Sequence, residues 1–389
     1  MRLSDPEFNR LSVLKKLRLE EPVSRTELAR LTGLNGGTIT TITRDLMARG
    51  LVVEAPAASQ GGRPKMNLRI NPDGAFAVGA TLTPDGRLIT ETVNLRGEIV
   101  FSLSERMVHT SRLEDLAGQV GAIVKRAVSE GPAAQAISQV GVGLPAIVDT
   151  RRGVVEFLEM FEEKAFPFGE RVEALVGIPT GIDNNVNLLA RAEHWFGEGT
   201  GIDDFTIVIV DLGIGAASYQ GGQLHLSSHG IEAELGHMKI MPENGRPCHC
   251  GGHGCLQAYS SMSGIVEQYW TATGGEALAI LDMQDRFTDI ATRAQAGDEV
   301  AQGLFVRAGR LLGTAIANHI NMQGPERIVV LFNDPRLRER LSGPLLEAVE
   351  RDTFPFLRGL TDVKFGEVDE GRYARGAAAM VLERLYQAR

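Results

Sequence analysis

Cysteine is nearly absent from this 389-residue chain, at three copies, and tryptophan is rarer still, at two. An odd trio of thiols cannot build the disulfide framework of a small secreted scaffold. Long apolar runs are missing as well, since no stretch reaches the ~20 residues that a membrane-spanning helix requires. The longest, Phe205 to Ala217, is interrupted by Asp211 and reads as a buried strand entering a glycine loop. The opening Met1-Arg2-Leu3-Ser4-Asp5-Pro6 lacks the apolar core of a signal peptide. These absences lead to the expectation of a cytoplasmic protein with no membrane partner. Low-complexity tracts and solenoid-length repeats are also missing. What remains, 43% hydrophobic and 23% charged residues, is ordinary for a globular protein, and the length calls for two or three domains.

Charge is present but unevenly placed. The net charge is −9, yet residues 1–72 carry twelve basic and seven acidic side chains, an excess of five. The remaining 28 basic and 42 acidic side chains leave the body at −14. A basic first fifth on an acidic body suits a DNA-binding head on a domain that avoids phosphates.

The pattern within the head supports that reading. Phe8, Leu11, Val13, Leu14 and Leu17 follow helical spacing, predicting an amphipathic helix over 6–19. Ser24 is placed to cap a second helix, with Glu27 completing a capping box. Gly33 supplies a turn, and Asn35 caps a third helix through Ile39, Ile42, Leu46 and Met47 to Gly50. Helix, glycine turn and helix make a helix-turn-helix. The runs Leu51–Glu54 and Met66–Ile70, around a turn-rich Ala57 to Gly62, read as a β-wing. The third helix offers Asn35, Thr38, Thr40, Thr41 and Arg44 to a major groove. Arg63, in Gly61-Gly62-Arg63-Pro64 at the wing tip, suits a narrow minor groove.

The three cysteines fall within eight residues, as Cys248-His249-Cys250-Gly251-Gly252-His253-Gly254-Cys255, shortly after Glu234-Leu235-Gly236-His237. His237, Cys248, Cys250 and Cys255 supply one imidazole and three thiolates, a set that satisfies tetrahedral Zn2+. His249 and His253 compete with His237 for the nitrogen position. Four protein ligands leave no open site, so the expected zinc is structural.

With that cluster the chain resembles the ROK family of sugar kinases and sugar-responsive repressors. The resemblance rests also on Gly141 through Asp149, on Ile182-Asp183-Asn184-Asn185-Val186-Asn187 leading into Ala192 through Gly197, and on Gly213-Ile214-Gly215-Ala216-Ala217. It covers nearly the whole chain and implies an α/β fold. A winged helix-turn-helix is followed by a two-lobed, actin-like (ribonuclease-H-like) sugar-kinase fold. The expected divisions are 1–72 for the head, 73–188 with 371–389 for the first lobe, and 189–370 for the second lobe with the zinc site and a dimerisation surface. Helical periodicity at 113–128 and 298–321 alternates with strand-like runs at 139–144, 205–210 and 327–331, in agreement. The resemblance implies a sugar gripped by Asn184, Asn185, Glu234, His237 and Gln257, in a cleft where the lobes hinge.

Several departures argue against phosphoryl transfer. The family's kinases place the catalytic base at the position of Asn185, and an amide cannot take a proton from a sugar hydroxyl. Asp183, if its segment is extended, points the same way and offers a weak substitute. Thr81 and Thr83 stand where the kinases' first phosphate loop has an acid and a glycine, and Pro84 removes an amide donor. Ile214 replaces a threonine in the second phosphate loop, and Phe332 and Asn333 stand where glycines would admit adenine. Gln257 replaces a family glutamate on the sugar side. The expectation is a repressor, not an enzyme: a homodimer or homotetramer that binds operator DNA and senses a small sugar. Its alternatives are an active kinase with an accessory DNA-binding head and a DNA-binding scaffold whose pocket binds nothing.

Overall fold

The computed structural model describes residues 5–56, 66–83, 86–132, 137–159, 161–227, 234–274 and 283–386. The wing tip with Arg63 lies outside the described residues, as do Pro84 and Asp85. In chain order the head contains α1 (Asp5–Glu20), α2 (Arg25–Thr32), α3 (Gly36–Ala48), β1 (Val52–Pro56) and β2 (Met66–Ile70). There follow β3 (Phe76–Leu82), β4 (Arg87–Asn94), β5 (Ile99–Arg106), α4 (Leu113–Glu130), β6 (Ile137–Leu144), β7 (Ile147–Asp149), β8 (Val154–Phe157), α5 (Phe168–Val176), β9 (Thr180–Asn184) and α6 (Asn185–Phe196). The next stretch holds β10 (Phe205–Val210), β11 (Ile214–Gln220), β12 (Gln223–Leu224), α7 (Gln257–Ser260), α8 (Met262–Thr273), α9 (Met283–Gln295) and α10 (Glu299–Gln323). Then come β13 (Arg327–Phe332), α11 (Pro335–Asp352), β14 (Asp362–Glu367) and finally α12 (Glu370–Tyr386).

The chain divides into two compact units, Met1–Phe196 with Glu370–Arg389, and Gly197–Asp369. Each has a five-stranded sheet of the same design, β5-β4-β3-β6-β9 in the first and β12-β11-β10-β13-β14 in the second. In both, the first three strands pair antiparallel and the last two join parallel. That duplicated order is the ribonuclease-H-like arrangement the resemblance implied. Every residue of β10 is buried, as a central strand covered on both faces requires. The edge strand β5 alternates instead between exposed and half-buried residues.

In the first unit the last helix closes the fold. Gly79 on β3 and Gly141 on β6 let α12 lie directly on the sheet. A Cβ at either would come 1.8 Å from the Ala374 carbonyl oxygen or 2.0 Å from that of Ala377. The head is not held apart from this lobe. One hydrophobic cluster runs from Val13, Leu17, Leu28, Ile39 and Leu46 through Leu68 and Ile70 to Val93, Leu188, Trp195 and residues 377–382. Among the described residues no helix is long and apolar enough to cross a membrane.

The local signals of the head are met with one exception. Ser24 Oγ accepts from the Glu27 amide at 3.2 Å, and Asn35 Oδ1 from the Thr38 amide at 2.9 Å. Gly33 adopts φ +70° between the two helices, a backbone region that a side chain would strain. The capping box, however, is half made. The Glu27 carboxylate is drawn to Arg30 one turn along, at 2.6 Å, because a charged partner outcompetes a neutral amide.

Candidate functional site

The features expected to face DNA begin with α3. Its apolar side, Ile39, Ile42 and Leu46, is buried, and Asn35, Thr40, Thr41 and Arg44 are exposed with Thr38 half-buried. Thr40 donates its hydroxyl back to the Gly36 carbonyl at 2.8 Å, so it meets a partner as an acceptor. Asn35 is engaged as the helix cap, which leaves its NH2 group for outside contacts. Arg44 makes no ion pair among the described residues, whereas Arg25 is tied to Glu54 at 2.8 Å and to Thr43 at 3.2 Å. The wing strands β1 and β2 pair in register from Val52–Ile70 to Pro56–Met66.

The second feature lies where β9 meets α6. Asn184 is the last strand residue and Asn185 the first of the helix. The Asn184 Oδ1 accepts from the Val186 amide at 2.6 Å, an Asx turn that ends the strand, and its Nδ2 donates to the Ala146 carbonyl at 2.7 Å. Asn185 Oδ1 lies 3.4 Å from the Thr81 hydroxyl. The strand therefore does not continue through Asn185, and Asp183 does not share its direction. Asp183 is fully buried, and one of its oxygens accepts from Thr150 at 2.7 Å and from the Asn184 amide and Asn187 Nδ2, each at 2.8 Å. Arg191 stands 3.6 Å from its other oxygen. A carboxylate so committed serves the scaffold.

The third feature is in the second unit. His237 ends a single helical turn over residues 235–237 that follows the exposed Glu234. Its Nδ1 lies 3.7 Å from Cys248 Sγ, and Cys250 Sγ is 3.7 Å from Cys255 Sγ. The four donor atoms lie within 4.8 Å of one another. A zinc–sulfur bond of about 2.3 Å implies tetrahedron edges of roughly 3.8 Å, so the donor set fits the metal in type and spacing. The turn between the thiols uses Gly251 at φ +82° and Gly254 at φ +72°. A Cβ on Gly254 would also meet the Met241 carbonyl at 1.9 Å. The other two histidines do not compete: His249 Nε2 is bonded to Glu267 at 2.8 Å, and neither it nor the exposed His253 joins the donor group.

The electrostatics of this cluster are uneven. Burial pushes the Cys248 thiol up to about 11, while the Gly252 amide holds the exposed Cys250 below the ordinary thiol range. Lys239 donates to Cys255 Sγ at 2.8 Å, which raises its own pKa and sets a cation beside the sulfurs. The far nitrogen of His237 is 3.8 Å from a Glu234 oxygen. The carboxylate thus stands near one edge of the imidazole, beyond hydrogen-bonding distance, and Cys248 near the other.

Gln257 and the strand ends complete this unit. Gln257 Oε1 accepts from the Ile214 amide at 3.3 Å, and a Cβ on Gly213 or Gly236 would come within 3.0 or 3.3 Å of the same oxygen. It therefore joins the glycine loop to the Glu234–His237 turn. At the carboxyl ends of the parallel strands β10 and β13, Asn333 donates its amide N–H to the Val210 carbonyl at 3.1 Å and its Nδ2 to Asp211 at 3.1 Å. Burial raises the Asp211 carboxyl. Phe332 is fully buried in the sheet core beside Phe365. Sequence reasoning missed the Asp211–Asn333 staple, although a lone carboxylate inside an apolar run was its signal. The Lys239–Cys255 contact had no signal of comparable strength.

Residues 93–384 match the sequence model of the ROK family. The chain is 25% identical to the xylose repressor of Caldicellulosiruptor bescii, over 97% of this chain and 96% of that one. It is 26% identical to the dual regulator NagC of Escherichia coli, over 96% and 92%. Among solved structures, a ROK family transcriptional regulator described as a homologue of the E. coli Mlc protein superposes with a TM-score of 0.81. The two are 26% identical, with 98% of this chain and 97% of that one covered. A ROK glucokinase from Streptomyces griseus shares the fold, with a TM-score of 0.64, 24% identity, and 79% of this chain and 99% of that one covered.

Proposed function

The chain belongs to the ROK family, and on that premise we propose that it is a sugar-responsive transcriptional repressor whose kinase-like body senses a carbohydrate without phosphorylating it. The observation that carries this reading is the α2–α3 pair, capped at Ser24 and Asn35, with a polar exposed face and a wing behind it. A repressor and a dual regulator, each matched over nearly its whole length, support it. Residues 1–72 form the DNA-binding part, with Asn35, Thr38, Thr40, Thr41 and Arg44 facing the major groove and Arg63 the minor groove. A basic head on an acidic body favours that division. The proposed sugar contacts are Asn184, Asn185, Glu234, His237 and Gln257. A carboxylate with amides is a fitting lining for hydroxyl groups.

His237, Cys248, Cys250 and Cys255 hold a structural zinc that orients the Glu234 turn. The kinase alternative is disfavoured by Asn185 at the base position, by the occupied Ile214 amide and by the Asp211–Asn333 staple across the strand ends. Two heads on a palindromic operator require a homodimer or a pair of dimers.

The test is a gel-shift on operator DNA with a panel of neutral, N-acetylated and phosphorylated sugars. A sugar should weaken or strengthen binding roughly 5- to 150-fold, the usual span of allosteric coupling. Glu234→Ala should abolish that response while leaving sugar-free DNA binding intact. A Glu234→Ala protein that still responds normally sinks the assignment of the sensing residues, and sugar-dependent ATP consumption by the wild type revives the kinase.

A further inference from the structure

Five side chains link the end of β9 to the DNA-binding head through short contacts, all inside the first unit. Asp183 accepts from the Asn184 amide at 2.8 Å and lies 3.6 Å from the guanidinium of Arg191, further along α6. Arg191 is paired with Glu383 of α12. The other oxygen of Glu383 accepts from Trp195 Nε1 at 2.7 Å. Above the Trp195 ring, 4.2 Å from its centroid, lies the guanidinium of Arg18, in the last turn of α1.

Two physical features make this more than a list of contacts. Asp183 and Arg191 are buried, so neither charge can go unpaired without large cost, and a shift of one compels a shift of its partner. The helix α6 is a stiff rod of about 18 Å at 1.5 Å per residue. Its first residue is Asn185, in the proposed sugar segment, and its last two are Trp195 and Phe196. Both rings lie under Arg18, the second at 5.9 Å. The same hydrophobic cluster holds α1, the buried face of α3 and Trp195, so α1 cannot tilt independently of the recognition helix.

We propose that α6, with Arg191, Glu383 and Trp195 as positioning residues, is the joint between the β9–α6 turn and the head, and that the Arg18–Trp195 contact is its point of transfer. The proposal rests on the sensing reading only for the event that moves the turn. The joint itself can be tested without ligand, by hydrogen exchange on the full-length protein.

Asp183→Asn removes the charge that holds Arg191 and should speed amide exchange in α1 by about fivefold or more. Glu193→Gln is the control. It breaks another, part-buried ion pair between α6 and α12, with Arg372 at 2.8 Å, and α1 exchange should stay within about twofold of wild type. If Asp183→Asn fails to fold, Trp195→Phe keeps an aromatic ring but loses the bond to Glu383, and should raise α1 exchange in the same way. Unchanged α1 exchange in the folded variants, or an equal rise in the control, overturns the proposal. Wild-type exchange over residues 180–187 is read separately with D-glucose, D-xylose and N-acetylglucosamine. A response to none of the three counts against the sensing reading, while the ligand-free variants still judge the joint.

Discussion

Removing the metal should cost the second unit a measurable and calculable part of its stability. The proposed zinc closes the chain from His237 to Cys255. Tying the ends of a loop of about 19 residues restricts the unfolded chain by roughly 3 kcal/mol at 25 °C on the cross-link entropy relation. For a domain of this size each kcal/mol moves the melting temperature by about 2–4 °C, so loss of the ion should lower it by roughly 6–12 °C. Cys255→Ser is the suitable perturbation: Cys255 is fully buried, and serine removes the ligand with little change of volume. The assays are zinc content by chromogenic release and scanning calorimetry with and without a strong chelator. Wild type should carry one zinc per chain, and Cys255→Ser should melt low and ignore the chelator. His249→Ala should behave as wild type, since His249 is bonded to Glu267. A wild-type protein free of zinc, or a Cys255→Ser variant melting within about 1 °C of it, refutes the reasoning.

Two further outcomes are expected. His319 is largely buried, with Nε2 2.8 Å from the Thr206 hydroxyl, and burial holds its imidazole below the ordinary histidine range. As pH falls past roughly 6.5 the unfolded chain takes up a proton that the folded unit refuses, so stability is lost from there down to the folded value. Urea unfolding between about pH 5 and 7 should show that slope, and His319→Gln should flatten it. Arg44→Ala should weaken DNA binding on every sequence and reduce the slope of log affinity against log salt by about 0.9 if the guanidinium meets a phosphate. Unchanged affinity and slope would remove Arg44 from the interface.

Local features of the fold were legible because their causes are local. Ser24 and Asn35 cap the helices they were expected to cap, and β10 matches its apolar run residue for residue. The thiols of the cluster were legible from residue type and spacing, whereas the choice among His237, His249 and His253 was open in the sequence, and only the fold brings His237 to the cysteines. Direction at a strand end was not. The alternation that would have put Asp183 and Asn185 on one side stops where Asn184 bends the chain onto Val186. Glu27 failed as half of a capping box because its competitor, Arg30, is three residues further on. The Arg18–Trp195 contact was out of reach for another reason. It joins residues far apart in the chain through packing alone, and periodicity carries no information about such pairs.

The return of the chain to its first unit as α12 fixes an order of events during synthesis. The sheet formed by residues 76–184 has glycines at Gly79 and Gly141 that await a helix made only after the whole second unit has left the ribosome. At about 5–20 residues per second that delay is roughly 10–35 s, long enough for the second unit to fold on its own while the first waits open. A head that draws part of its apolar support from residues 377–382 therefore completes its packing only after those residues are made. Prematurely terminated chains would carry a head without its backing, and such fragments would be poor competitors for the operator.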